Sequence, residues 1–348
     1  MQLMKVLLSK IKLMVLWVVR VLCAPNHFRV PLHKRIFYAV KGGYMVDQVA
    51  LYDFKNNGTE QYLSEFDWYK SRSINDPYSH MLNNKVVFAE MIKSFCPTPE
   101  LFAVKKDGRV AGMNGRSFTS HADLIQLLKD EGAFVVKPIN IGKGLGIHIV
   151  RYSGGEILDN GKSVSAEELI ETLKKSKSWL ICAFAEQAEY LNEIYSGSAN
   201  TLRMIVLRSD KTKEFELCFA VQRIGASWTG AVDNGSRGGL IAKVDIESGR
   251  LSAARTLHNL EIYDVHPDTK SAIQGVIIPN WENIKAGVLE ASSHFPYLDI
   301  IAWDILPTPD GFTVIEGNTS SGVNIIQLWG GERYGKLGDF YRQHGIIK

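Results

Sequence analysis

The chain reads as a mixed α+β protein built from small sheet-and-helix lobes, and three observations lead there. Strand-like apolar runs outnumber helical ones and do not alternate with them in the order that a doubly wound parallel sheet requires. The 348 residues are 45% apolar and 22% charged, the proportions of a globular protein with a sizeable core. No run approaches the ~20 apolar residues that span a bilayer as a helix, and no segment is low in complexity. Cys23, Cys96, Cys182 and Cys218 lie far apart with no Cys-x-x-Cys, which suggests neither a disulfide framework nor a zinc site and points to reducing, cytoplasmic surroundings.

In chain order, the first element is a basic amphipathic helix. Met4, Leu8, Ile11, Val15, Val18 and Leu22 recur at helical spacing, while Lys5, Ser9, Lys12 and Arg20 fall on another face. Residues 1–46 carry eight Lys or Arg and no Asp or Glu, whereas the other 302 carry 32 basic and 37 acidic side chains. The positive field therefore belongs to the N-terminal segment, and no nucleic-acid partner is expected. Residues 1–22 suit an anionic membrane surface, with Trp17 at the headgroups and the protein peripheral on the inner face. The same stripe equally suits docking on the protein's own core or an oligomer interface. A cleaved secretory signal is disfavoured, because Lys10, Lys12 and Arg20 interrupt the apolar region.

Residues 47–75 contain a turn at Asn56-Asn57-Gly58 and a helical stretch at 62–70, followed by a linker at Asn75-Asp76-Pro77. A helix over 83–95 must end before Pro97 and Pro99, which lead into an extended run at 101–104. Strands are predicted at 134–137, 147–152, 179–184, 201–207, 215–223, 240–244, 300–306 and 312–316. Helices are predicted at 121–129, 166–175, 281–293 and 334–342.

Two segments carry chemistry. Lys137 ends a strand and is followed by Gly142, Lys143, Gly144 and Gly146 before the next strand. Alternating glycines can turn successive N–H groups toward an anion, with the lysines adding charge, which suits nucleotide phosphates; a solvated hairpin is the alternative. The spacing matches neither a Walker A loop nor a dinucleotide fingerprint, since a β-like segment follows where those need a helix. The second segment, residues 300–318, folds as a hairpin about Asp310-Gly311. This brings Asp304 opposite the region of Glu316 and Asn318, which share a face by the period-two rule. Asp304 sits among Ile301, Trp303 and Ile305, where an unpaired carboxylate is costly. Two carboxylates and an amide oxygen form a hard-oxygen set suited to Mg²⁺. Arg203 and Arg223 lie within apolar strands predicted to line a cleft, where a guanidinium can hold phosphate or carboxylate oxygens. The nine histidines form no metal-like pair.

Taken in order, these blocks resemble the ATP-grasp superfamily over about residues 76–327, and most closely its sugar-transfer-associated branch. Lys85 in Leu82-Asn83-Asn84-Lys85 matches the helix-opening lysine, Lys137 the strand-end lysine, and residues 142–146 the glycine-rich flap over ATP. Asn200-Thr201-Leu202-Arg203, Arg223-Ile224-Gly225, Asp233-Asn234 with Gly238-Gly239, Trp303-Asp304, Ile315-Glu316-Gly317-Asn318 and Gln327 resemble later blocks of the family. The hinge departs from the acidic pair often found there, with Cys182-Ala183-Phe184-Ala185-Glu186 leaving Glu186 as the ribose contact and backbone groups for adenine.

The resemblance implies two α+β lobes clasping ATP and two Mg²⁺ ions: residues 76–184 with the flap and 185–348 with the metal site, preceded by a helical extension over 1–75. Asp304, Glu316 and Asn318 would hold metal, Lys85, Lys137, Gly142, Lys143, Gly144, Gly146 and Glu186 the nucleotide, and Arg203 and Arg223 the reacting phosphoryl group. The implied activity is a carboxylate–amine ligase acting through an acyl phosphate on a small-molecule or glycan substrate, in surface-polysaccharide biosynthesis. A kinase acting on a sugar hydroxyl and a non-catalytic nucleotide-binding scaffold are the alternatives.

Overall fold

The computed structural model describes residues 2–52, 54–139 and 145–348, with residues 2–6, 9, 21, 22 and 55 in backbone only. Two antiparallel sheets form the body. The first contains β1 (Leu101–Lys106), β2 (Arg109–Gly112), β3 (Ala133–Lys137), β4 (His148–Ser153), β5 (Glu156–Asp159), β6 (Lys162–Val164) and β7 (Ser178–Ala183), in spatial order β2-β1-β7-β3-β4-β5-β6. The second contains β8 (Leu202–Arg208), β9 (Phe215–Ile224), β10 (Leu240–Val244), β11 (Leu251–Arg255), β12 (Ile300–Thr308) and β13 (Gly311–Asn318), in order β11-β10-β9-β8-β12-β13.

Helices Asp123–Glu131 and Ala166–Lys175 cover one face of the first sheet. Leu124, Leu127 and Leu128 recur at i, i+3 and i+4, as do Leu169 and Leu173 at i and i+4, and these stripes meet Phe102, Phe134, Val150, Trp179 and Ile181. Ser165 and Glu168 cap the second helix reciprocally, which sets its start. The second sheet is covered on both faces, so its strands are apolar on both. Met204, Val206, Ile301, Trp303 and Ile305 meet helix Trp281–Ser293, while Ile205, Leu207, Ile300 and Ala302 meet Leu63, Val323, Phe340 and Tyr341.

Two segments pack differently from their place in the sequence-based division. Leu82, Phe88 and Ile92, in helices Ser79–Asn83 and Lys85–Ile92, join the core of the second sheet, and Leu63 joins its opposite face. Gln327, predicted as a family block, is buried and ties residues 52–63 to the C-terminal part. It accepts from Leu63 N (2.7 Å) and Glu332 N (3.1 Å) and donates to Leu63 O and the Tyr52 hydroxyl, both at 2.9 Å.

The N-terminal segment forms helices Gln2–Cys23 and Leu32–Gly42. The predicted stripe through Leu8, Ile11, Val15 and Val18 is exposed instead of docked. Trp17 packs beside Ala24 against Ala39 and Met45, and Arg20 turns inward to pair with Glu65 at 2.9 Å and donate to the Tyr69 hydroxyl at 2.7 Å. The docked side is therefore a mixed face, because Arg20 finds its carboxylate on the helix Glu65–Ser71. Among the described residues no helix is long and apolar enough to cross a membrane.

Replacing Gln327 by Leu should leave buried donors and acceptors of Leu63 unpaired and destabilise the protein by roughly 3 kcal/mol. Urea unfolding measures this; a change below about 0.5 kcal/mol, the level of an ordinary surface substitution, would contradict the linchpin role.

Candidate active site

A cavity of about 680 Å³ opens between the two sheets. From the first sheet it takes Val135, Lys137, Ile149 and Ala183; from the connection after β7, Phe184 and Ala185; from the residue before β8, Thr201; and from the second sheet, Arg203, Arg223, Asp304, Leu306, Ile315, Glu316 and Asn318. Period-two alternation explains the polar cluster. Arg203, Arg223 and Asp304 stand on the same face as Ile205, Val221 and Ala302, where that face passes from its helix-covered part into the cavity.

The hairpin of β12 and β13 contains a bulge that decides the site. Pairing runs from Thr308–Gly311 to Ile305–Val314, and continued without interruption it would put Ile315 opposite Asp304. The register slips by one there, so Glu316 stands opposite Asp304, and Ile315 and Glu316 both reach the cavity. Asn318 follows on the same side and donates to Glu316 Oε1 at 3.4 Å. Between them Gly317 faces the other way: an added Cβ would lie 2.7 Å from the Phe88 ring. That close approach seats helix Lys85–Ile92, capped by the Asn84 side chain, so that Lys85 Nζ comes within 3.5 Å of Glu316 Oε2.

Asp304 is buried, and its carboxylate is bridged by Arg203 through Nε (2.5 Å) and Nη2 (3.0 Å), with Arg223 Nη2 at 3.3 Å. Burial pushes its pKa up, but the guanidiniums of Arg203 and Arg223 outweigh this and hold it below the usual carboxylate range. For the fully buried Arg223, desolvation pulls the pKa down and the carboxylates of Asp233, Asp304 and Glu316 carry it above the ordinary value. Arg223 also donates to the Thr201 hydroxyl, and Asp233 Oδ2 accepts from Thr201 N (2.7 Å) and Oγ1 (2.6 Å). Asn200 accepts from Gly225 N at 2.9 Å. Each polar side chain of Asn200-Thr201-Leu202-Arg203 thus ties β8 to a different neighbour.

Lys85, Lys137, Arg203, Arg223, Asp304, Glu316 and Asn318 all line this one cavity. Gly142, Lys143 and Gly144 lie outside the described residues. Gly146 has φ +69°, with an added Cβ 3.0 Å from Pro138, and does not line the cavity. Glu186 is not brought to the cavity either: it is exposed, and the wall is made by residues 183–185. Sequence reasoning missed Arg20, Trp68, Tyr69 and Arg72, which also line it. No short motif marks them; the one available signal was an arginine interrupting the apolar part of the first helix. The wall carries six cationic groups, Arg20, Arg72, Lys85, Lys137, Arg203 and Arg223, against Asp233, Asp304 and Glu316, an excess that suits a polyanion.

Among the described residues, no group of three or more His, Cys, Asp or Glu gathers to hold a metal. The available set is the Asp304–Glu316 pair with Asn318. Two carboxylates opposite each other on neighbouring strands need positive charge beside them, and a hard divalent cation with oxygen ligands can add to what Lys85, Arg203 and Arg223 supply.

The profile of the family described as sugar-transfer associated ATP-grasp matches residues 67–336. Comparison with curated proteins returned no match. Among solved structures, D-alanyl-alanine synthetase A from Vibrio cholerae is similar at 12% identity with a TM-score of 0.44, over 77% of this chain and 66% of that one. D-alanine–D-alanine ligase from Helicobacter pylori is similar at 16% identity and 0.42, over 75% and 61%. The ATP-grasp ligase PsnB is similar at 13% and 0.37, over 71% and 56%. The chain spans between about half and two thirds of the length of these proteins.

Asp304→Asn should cost about 3 kcal/mol in metal-free buffer, because two buried guanidiniums lose their shared counter-charge. The folded pKa of Asp304 is depressed, so its contribution is complete above the unfolded value near 4 and is lost as pH falls through the folded one. The stability gap between wild type and variant should therefore be constant at neutral pH and close below about pH 4. Denaturant midpoints across pH check this; a gap that widens in acid would contradict the pairing.

Proposed function

The chain belongs to the sugar-transfer associated ATP-grasp family, and from that premise we propose that it is a MgATP-dependent ligase that activates a carboxylate as an acyl phosphate for attack by an amine or similar nucleophile. The observation that carries this reading is the cavity itself, in which a carboxylate pair and an amide stand opposite cations from both sheets.

Glu316 and Asn318, with Asp304 behind them, would hold Mg²⁺, which when bound neutralises phosphate charge and fixes the orientation of the oxygens it contacts. Lys137 approaches the nucleotide from the first sheet, Arg203 from the second, and Lys85 from the helix packed on the second. Val135, Ile149, Leu306 and Ile315 supply an apolar part of the wall suited to a purine ring. Arg203 is locked by its two bonds to Asp304, so its three remaining N–H donors are held in place before substrate arrives. Charge neutralisation and alignment are what phosphoryl transfer chiefly needs, and no side-chain nucleophile is required. A substrate carboxylate attacks the γ-phosphoryl group, ADP leaves, and the amine then displaces phosphate from the acyl carbon. The family's association with sugar transfer supports a glycan, or an amino acid joined to one, as substrate in surface-polysaccharide assembly.

In calorimetry, Lys137→Ala should weaken ATP binding about tenfold with or without Mg²⁺, whereas Glu316→Gln should do so only with Mg²⁺ present. Equal effects of Glu316→Gln in EDTA and in Mg²⁺ would remove the metal role. Hydroxylamine added to ATP and candidate carboxylates should trap a hydroxamate. A phosphorylated sugar with no hydroxamate would identify a kinase instead.

A further inference from the structure

The face of the N-terminal helices that packs on nothing points to a second interaction, independent of the ligase reading. Of 22 large apolar side chains exposed among the described residues, twelve fall within residues 7–40. At roughly 100° per residue, Leu7, Leu8, Ile11, Met14, Val15, Val18 and Val19 of helix Gln2–Cys23 lie within an arc of about 140°, while Lys10 and Lys12 fall on its two flanks. Met14 is 61% and Leu8 59% exposed. Helix Leu32–Gly42, packed beside the first, repeats the pattern with Leu32, Ile36, Phe37 and Val40 exposed, Val40 at 71%, and with Lys34 and Lys41 exposed nearby. A soluble face would alternate such residues with carboxylates, yet residues 1–46 contain none.

Apolar arcs flanked by lysines, with no helix long and apolar enough to span, are the chemistry of a helix lying in the interface of a membrane. We propose that the two helices form one docking surface for an anionic lipid bilayer. The acyl boundary takes the apolar arcs, and the lipid phosphates take the flanking lysines. A second copy of this chain is the poorer occupant, because pairing two such faces would bring like charges together with no acidic partner in either segment. The inner side of the first helix carries Leu16 and Arg20 into the cavity wall, so docking sets the cleft beside the lipid surface.

The test is co-sedimentation of the full chain with phosphatidylcholine vesicles with and without phosphatidylglycerol, across rising NaCl. Wild type should partition onto anionic vesicles about tenfold better than onto neutral ones, and the preference should shrink with salt. The pair Ile11→Asp with Val15→Asp, and separately Lys10→Glu with Lys12→Glu, should each lose most of this binding with unchanged melting curves, since all four side chains are exposed. Failure of folded wild type to bind anionic vesicles, or equal binding to neutral ones, overturns the proposal. So does a wild-type dimer that Ile11→Asp with Val15→Asp converts to monomer in sedimentation equilibrium. Nucleotide binding is untouched by these outcomes, so failure here leaves the ligase reading standing.

Discussion

A carboxylate as buried as that of Asp304 is tolerated only because two guanidiniums reach it, and this requirement fixes how the second sheet is assembled around the cavity. Arg203 must arrive from β8 on one side, and Arg223 from β9 one strand further on, so the strand order β9-β8-β12 is also the order of a charge relay. Arg223 in turn needs Asp233 and Thr201, which draws the loop after β9 down onto the start of β8. On the other side of β12, the bulge at Ile315 lets Glu316 stand opposite Asp304. Its added negative charge is met by Lys85 on a helix that could not sit so close if residue 317 carried a side chain. Each member of the network is thus held by a neighbour on a different element.

That arrangement leaves the cavity with preset dipoles and charges. A buried ion network contributes little net stability compared with an apolar core of the same shape, so its presence here is better explained by what it can bind. The cationic surplus on the wall suits a triphosphate, the carboxylate pair suits a divalent cation, and the apolar stretch near β3, β4 and the connection after β7 suits an aromatic base. Family membership and this chemistry agree without either being deduced from the other. The N-terminal segment adds Arg20 and, through the helix it pairs with, Tyr69 to the same wall, which joins the part of the chain outside the family match to the cleft.

Much of this was legible where local rules act alone. Helix Ala166–Lys175 announces itself through Ser165, Glu168 and its leucines, and the β12–β13 hairpin through Asp310-Gly311. The pairing of Asp304 with the region of Glu316 follows from counting back from that turn, but the bulge that selects Glu316 over Ile315 is a tertiary compromise invisible to a period of two. Strands β2, β5 and β6 were missed because each is only three or four residues long, too short for a period of two to stand out. The helix Glu189–Tyr195 is too short to show a period. Arg20 looked like one more surface charge because its partners, Glu65 and Tyr69, are more than forty residues away. Glu186 looked like a ligand from its place after the hinge, yet the chain presents Ala183 to Ala185 to the cavity instead.

Crystals grown with Mn²⁺ and a non-hydrolysable ATP analogue would probe this arrangement most directly, since manganese can be located by its anomalous scattering. The expected result is a metal peak bound to Glu316 and Asn318, with the triphosphate between Lys137 and Arg203 and the Arg203–Asp304 bridge preserved. A nucleotide held elsewhere on the protein, or a metal peak remote from Glu316, would contradict it.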